Sequence, residues 1–202
     1  ISREEQDRYA IRSQKLADDA WKQGRLAEEV VPVEIKTRRG TTVVDRDDHM
    51  RPDTTLEGLA TLNAAFSKQG TVTAGNASGI VDGGAAVILA SEAGATHRGL
   101  SPLARLAGWA TVGVDPSIMG MGPAPAIRTL LKAQKLSLDD IDLFEINEAF
   151  AAQYLSVEKE LGLDRERVNV NGGAIALGHP LGATGARLLL TLTLELRRRG
   201  LK

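Results

Sequence analysis

The chain has 202 residues, with 25 basic and 26 acidic side chains, a formal net charge of −1, 3% aromatic residues and no cysteine. That length buries a real core and most simply makes one domain, or one and part of another. The near-neutral balance and scarce aromatics leave neither the basic field nor the stacking surface of a nucleic-acid binder, and a chain without cysteine has no disulfide framework, no thiolate metal site and no cysteine nucleophile of its own. No metal site is expected. No apolar run approaches the ~18 residues of a membrane helix, and the first residues carry neither a signal-peptide apolar region nor a transit-peptide bias, so a soluble chain is expected. The basic runs at Lys36, Arg38 and Arg39 and at Arg197 to Arg199 read as a turn and a helix end, not as a binding patch.

Taken in order, Ser2 followed by Glu5 is a capping box, and Tyr9, Ile11, Leu16, Ala20 and Trp21 continue an amphipathic helix to about Lys22. Alternation at Val30, Val33 and Ile35, a basic glycine turn and Thr41 to Val44 predict a hairpin within 30–45. His49, Arg51 and Pro52 fall in a polar connector, and Thr55 to Phe66 reads as a short helix ended by Gly70. The run TVTAGNASG at 71–79 is small or polar everywhere except Val72, so its backbone N–H groups and the Ser78 hydroxyl can approach a ligand closely; an ordinary surface loop has the same composition. Val81 to Ala90 is an apolar run consistent with a buried strand or with the packing edge of a helix, and His97 reads as a solvated residue.

Leu103 to Val114 reads as another strand, followed by the glycine and proline turn MGMGPAPA at 119–126 and a helix from about Ala124 to Lys135. After the acidic connector at 137–140, Ile141 to Ile146 predicts a strand, with Asn147 capping a helix over 148–160. The last stretch, from Val168 to Arg199, predicts a short strand, a glycine-rich turn and a long helix. Pro180 suits the first position of that helix and puts His179 at its entrance; the positive end of the helix then favours a neutral imidazole able to accept a proton. Leucines at 188, 189, 190, 192, 194 and 196 face in several directions and predict a helix buried on more than one side. A lone histidine in such a turn is more often a hydrogen-bonded structural residue than a catalyst, and the turn fits neither GxGxxG nor GxxxxGK[ST]. The strand and helix order from 103 onward implies an α/β fold, a mainly parallel mixed sheet with helices packed on it, whose ligands bind beyond the carboxyl ends of the strands. Asn147 and His179 both fall at such ends.

NEAFA at 147–151, NGGAIALGHPLGATGAR at 171–187 and TVTAGNASG at 71–79 resemble three signatures of the thiolases, in that family's order, and DPSIMGMGP at 115–123 is most similar to the 3-ketoacyl-CoA and acetoacetyl-CoA thiolases. The resemblance runs from the first helix to the last. It implies the layered thiolase fold and an acyltransferase that moves an acyl group between coenzyme A and a 3-ketoacyl-CoA through an acyl-cysteine. Coenzyme A is then a co-substrate and no further cofactor is implied. By the same matching His179 activates the cysteine, and Asn147 positions a water that completes an oxyanion site; a thiol needs a neutral base, and a developing oxyanion needs fixed donors. Ala74 and Ser78 would lie along the pantetheine arm, Arg51 and Phe66 near the nucleotide end, and Met119, Ala149 and Phe150 around the acyl and pantetheine pocket.

One departure is large. In the family the nucleophilic cysteine lies in a first half, and a second cysteine lies in a Cys-x-Gly-Gly segment shortly after the last helix. This chain carries neither, which implies a piece of a thiolase that does not turn over alone. Residues 1–80 would be part of the loop or cap region that contacts coenzyme A, 81–102 a strand region returning to the N-terminal half, and 103–202 a truncated C-terminal half. The alternative is a non-catalytic thiolase-like module that binds acyl-CoA or a partner chain. A ketoacyl synthase fits NEAFA and GHP less well. The resemblance further implies a homo-oligomer, dimer or tetramer, or pairing with the other half, and a cytoplasmic location, or a mitochondrial or peroxisomal one in a eukaryote.

Overall fold

In a computed structural model describing all residues from Ile1 to Lys202, the chain begins with α1 (Arg3–Lys22). Its start is fixed by two reciprocal bonds: the Glu5 N–H donates to Ser2 Oγ at 3.2 Å, and the Ser2 N–H donates to the Glu5 carboxylate at 2.7 Å. The buried face of this helix carries Tyr9, Ala10, Ala17 and Ala20. The small side chains let other backbone come close, and α1 packs against α5 (Ala151–Leu161), the short α2 (Leu56–Ala60) and α6 (Ala174–Leu177). Tyr9 stacks on Tyr154 of α5 with ring centroids 4.3 Å apart. Around this pair lies the main core of Phe144, Ile146, Leu155, Val157, Val168 and Ile175; a smaller cluster of Ala17, Ala20, Leu26, Met50, Ala176 and Leu177 continues it along α1.

The hairpin expected within 30–45 is present as β1 (Val33–Thr37) and β2 (Gly40–Val44), antiparallel, with Val33 opposite Val44 and Thr37 opposite Gly40. It is the one sheet of the chain. The segments expected as strands at 81–90, 103–114 and 141–146 form no ladder. Their parallel sense survives only in single bridges, Phe144 with Val168 and Ile80 with His179. A strand needs a hydrogen-bonding neighbour ~4.8 Å away, and residues 81–90 and 103–114 find none within this chain. Their apolar side chains are left outside: Ile88 is 92% exposed and Trp109 80%.

The helices also depart from expectation in detail. Residues 92–97 form α3 (Glu92–His97), and α4 (Pro123–Gln134) follows the glycine and proline turn as expected. Asn147 does not cap the next helix: α5 starts at Ala151 with Phe150 at its cap, which leaves Asn147 and Glu148 in extended chain. Pro180 is not the first residue of the last helix either. The run after Gly173 first winds the single turn of α6, and α7 (Thr184–Arg199) begins four residues after Pro180. The leucines of α7 are half-buried or exposed, and its buried positions are Thr184, Thr191 and Glu195. These face inward because each has a polar partner: Thr191 donates to Glu29 at 2.6 Å, Glu195 accepts from Asn171 at 2.9 Å, and Thr184 bonds the ring of His179. Gly200, in left-handed conformation, ends α7 as expected.

The closest backbone approach in the core is at Gly172, whose φ is +79° and where an added Cβ would sit 2.7 Å from Ala17 N and Ser13 O of α1. Gly172→Ala is therefore expected to cost about 2–4 kcal/mol, from overpacking and a disfavoured φ together. Gly99→Ala, at φ +62° in open space, is expected to cost only the conformational part, about 1 kcal/mol. Urea unfolding of the two variants measures the difference.

Candidate active site

The site is assembled around a buried carboxylate. Glu148 is fully buried, and both its oxygens are saturated: Oε1 accepts from Tyr9 Oη at 2.7 Å and Asn169 Nδ2 at 3.1 Å, and Oε2 from Ser13 Oγ at 2.7 Å and the Ile175 N–H at 3.1 Å. Burial, and next the charge of Glu148, push the Tyr9 phenol well above its ordinary range, so it stays a donor. Gly173 makes room for the carboxylate: a Cβ there would lie 2.2 Å from its carbon. Asn169 also clamps Ile146, accepting its N–H at 2.8 Å and donating to its carbonyl at 2.8 Å. Asn147 is thus held on both sides, by the clamp before it and the carboxylate after it.

The 71–79 loop is bound into the same framework. Asn76, fully buried, donates to Asp7 of α1 at 2.9 Å and accepts the Thr73 N–H at 2.8 Å. Its carbonyl accepts the Ala151 N–H at 2.9 Å, the N–H and hydroxyl of Ser78 both donate to the Ala149 carbonyl, at 3.0 and 3.1 Å, and the Gly79 carbonyl accepts the His179 N–H at 2.8 Å. The loop therefore runs as a seam between the NEAFA segment and the histidine turn. An ordinary surface loop would not be paired along both sides.

His179 and Asn147 meet directly, with Asn147 Nδ2 at 3.3 Å from His179 Nε2, while His179 Nδ1 lies 2.7 Å from Thr184 Oγ1. An amide nitrogen only donates, so Nε2 accepts and the ring proton resides on Nδ1, donated to Thr184. A proton on Nε2 would set N–H against N–H. Burial and then the charge of Arg187 hold the imidazole below its ordinary range. Burial and the Arg187 charge favour the neutral ring expected from the sequence, whereas the expected cause, a helix starting at Pro180, is not there. The Asn147 Oδ1 is buried and has no protein partner.

Glu145, two residues before Asn147, and Arg187 form a buried pair that sequence reading does not single out. Arg187 Nη1 is 3.9 Å from Glu145 Oε2, with side chains 17% and 3% exposed. Neither that oxygen nor the two terminal nitrogens of the guanidinium has a hydrogen-bonding partner. Burial pushes the Glu145 carboxyl up to about 8, against the opposing pull of Arg187.

The other expected site residues divide. Ser78, Ala149 and Phe150 join the seam, and Phe66, 77% exposed, stands edge-on to Phe150 at 5.8 Å. Ala74 is exposed at the loop tip. Met119, 73% exposed, sits on a 3-10 turn that packs against α5. Arg51 turns its guanidinium back onto the carbonyls of Asp48, His49 and Met50. Thr184, Glu148 and Arg187 are the members missed, although all three fall inside the quoted motifs. A threonine in a helix turn or a glutamate beside an asparagine carries no signal of burial until partners from other elements are placed.

This fold is that of a thiolase. The sequence matches the thiolase N-terminal domain over residues 1–93 and the thiolase C-terminal domain over 100–202, and the chain belongs to the thiolase family. It is 56% identical over 200 residues to an acetyl-CoA acetyltransferase of Rhizobium meliloti, covering 99% of this chain and 51% of that protein. To the human mitochondrial 3-ketoacyl-CoA thiolase it is 56% identical over 203 residues, covering 99% and 50%. It superposes on the crystal structure of the Bacillus anthracis acetyl-CoA acetyltransferase with a TM-score of 0.98 at 57% identity, over all of this chain and 51% of that one. The human mitochondrial 3-ketoacyl-CoA thiolase in complex with CoA gives 0.91 at 49% identity, over 100% and 50%. The chain spans about half the length of the curated relatives it matches.

Two outcomes follow from the site. Glu148→Ala leaves the hydroxyl protons of Tyr9 and Ser13 and the Ile175 N–H without an acceptor in the core and is expected to cost about 3 kcal/mol or more, read as a lower urea midpoint. Glu145 binds a proton in the folded state up to about pH 8 but releases it near 4.5 when unfolded. Its contribution is thus fully present below 4.5 and lost as pH rises to about 8, so Glu145→Gln is expected to match the parent at pH 4.5 and exceed it in stability at pH 8.

Proposed function

We propose that this chain belongs to an enzyme that transfers an acyl group between coenzyme A and a 3-ketoacyl-CoA, by thiolytic cleavage or the reverse condensation, through an acyl-cysteine. The observation that carries the reading is the His179 Nε2 acceptor held 3.3 Å from the Asn147 amide. With no cysteine among the 202 residues, the nucleophilic thiol comes from polypeptide outside them. Nε2 takes the thiol proton, the thiolate attacks the thioester carbonyl, and the departing coenzyme A sulfur takes the proton back. The buried Asn147 Oδ1 is free to orient a water toward the developing oxyanion.

Coenzyme A is a co-substrate in this scheme, and no metal takes part. Its pantetheine arm lies along Ala74 and Ser78, its nucleotide end near Arg51 and Phe66, and the acyl group near Met119, Ala149 and Phe150. Residues 1–80 serve as part of the cap, 81–102 lead back to the N-terminal half, and 103–202 form the C-terminal half. The exposed apolar side chains Ile88, Leu89 and Trp109, each more than 70% exposed, support association with the other half or with further copies. The reaction fits fatty-acid β-oxidation or acetoacetyl-CoA synthesis, in the cytoplasm or, in a eukaryote, in mitochondria or peroxisomes.

The test is acetoacetyl-CoA thiolysis by the complete polypeptide that carries these residues. His179→Ala is expected to lower kcat by about 10²–10⁴-fold with the fold retained by circular dichroism. Near-normal turnover in that variant removes His179 from its role. Absence of turnover in the parent, with coenzyme A binding retained, favours a binding module instead.

A further inference from the structure

We infer that His49 is a positioning residue for the base of the proposed reaction: its imidazole is wedged between the two stretches of backbone that carry His179, bonded to one and packed on the other. The inference rests on the reading of His179 as that base. The first stretch is the single turn of α6, which runs into His179. So short a helix leaves its last carbonyls without partners of its own, and other groups meet them. The Ala174 carbonyl accepts the Gly178 N–H at 2.8 Å, the Ile175 carbonyl accepts from Gln14 Nε2 at 3.3 Å, and the Ala176 carbonyl lies 3.1 Å from His49 Nδ1. A carbonyl only accepts, so Nδ1 carries a proton and donates it.

The second stretch is the end of the 71–79 loop. Its Gly79 carbonyl accepts the His179 N–H at 2.8 Å, and the next residue, Ile80, bridges to His179 in parallel. The outer edge of the His49 ring lies on Gly79, where an added Cβ would be 2.2 Å from Nε2 and 2.9 Å from Cδ2. One ring therefore spaces the carbonyl three residues before His179 from the carbonyl that holds its N–H. The ring is anchored from behind as well. Met50 is buried in the cluster along α1, and the Arg51 N–H donates to Gln14 Oε1 at 2.8 Å, so Gln14 joins α1, the 49–51 connector and α6. Ser78 of the same loop is bonded to Ala149. A shift of Gly79 relative to Ala176 thus alters the 3.3 Å approach of His179 Nε2 to Asn147. A base misplaced in this way keeps its chemistry and loses rate.

The test follows backbone exchange and turnover separately. The chain has three histidines and two tyrosines, so isotope labelling of these two residue types gives few amide signals, and that of His179 is assigned by its loss in His179→Gln. In His49→Ala the His179 amide is expected to exchange with deuterium on the order of 10-fold faster, while the Tyr154 amide in the core keeps its parent rate. Gly79→Ala, whose methyl expels the ring, is expected to reproduce this change, and the double variant to add nothing to it. In the complete polypeptide, each single variant is expected to lower kcat for acetoacetyl-CoA thiolysis about 10-fold with KM little changed. Equal acceleration at His179 and Tyr154 overturns the inference, because it reports lost stability alone. An unchanged His179 rate, additive effects in the double variant or a parent-like kcat also overturns it. Should His49→Ala fail to fold, Gly79→Ala decides on the same terms. Exchange needs no turnover, so an inactive complete parent would count against the acyl-transfer reading, and the exchange rates would still decide whether His49 holds the His179 backbone.

Discussion

The four hydrogen bonds that converge on the Glu148 carboxylate are the constraint on which the rest of the molecule depends. They tie two turns of α1, the asparagine at 169 and the start of α6 to the residue immediately after Asn147. A buried carboxylate with unmet acceptors would be strongly destabilising; with every lone pair directed at a donor it becomes a rigid node. Because the donors come from segments as far apart in sequence as Tyr9 and Ile175, the node can form only when the fold is correct. It is also why Gly173 has no side chain, since the carboxylate occupies the space a Cβ would need.

From that node the geometry of the site follows by short steps. The clamp from Asn169 and the seam from 76 to 80 leave Asn147 and His179 little freedom, and α7 brings Thr184 to the other side of the ring. The imidazole is anchored at Nδ1 and bare of protons at Nε2, the state a proton acceptor requires. Rigid placement of a neutral acceptor against an amide is preorganisation: little has to move when charge develops.

Elsewhere the chain is less self-sufficient. Runs of apolar residues at 81–90 and 103–114 have strand composition and no strand to pair with, and no leucine of α7 is fully buried. An apolar surface of that extent is ordinarily an interface. The chain spans about half the length of relatives such as the Rhizobium acetyltransferase.

Local physics was legible in part: the helix expected over Thr55 to Phe66 is only Leu56–Ala60, and the Ser91-capped helix Glu92–His97 was not expected. The capping box at Ser2, the glycine-turned hairpin, the glycine end of α7 and the three motifs in family order each depend on neighbours within a few residues, and the structure has them where they were read. Tertiary structure decided the rest. Asn147 was read as a helix cap and Pro180 as a helix start, because each residue type suits those places; both were displaced when Glu148 was drawn into the core and α6 wound to present the Ile175 N–H to it. The leucines of α7, facing in several directions, predict a helix buried on more than one side because apolar residues prefer burial, yet Thr191 and Glu195 take the fully buried positions because Glu29 and Asn171 are there to bond them. Long-range partners of this kind leave no periodicity in the chain. What a residue can do was set by its type, and what it does by which distant group came to face it.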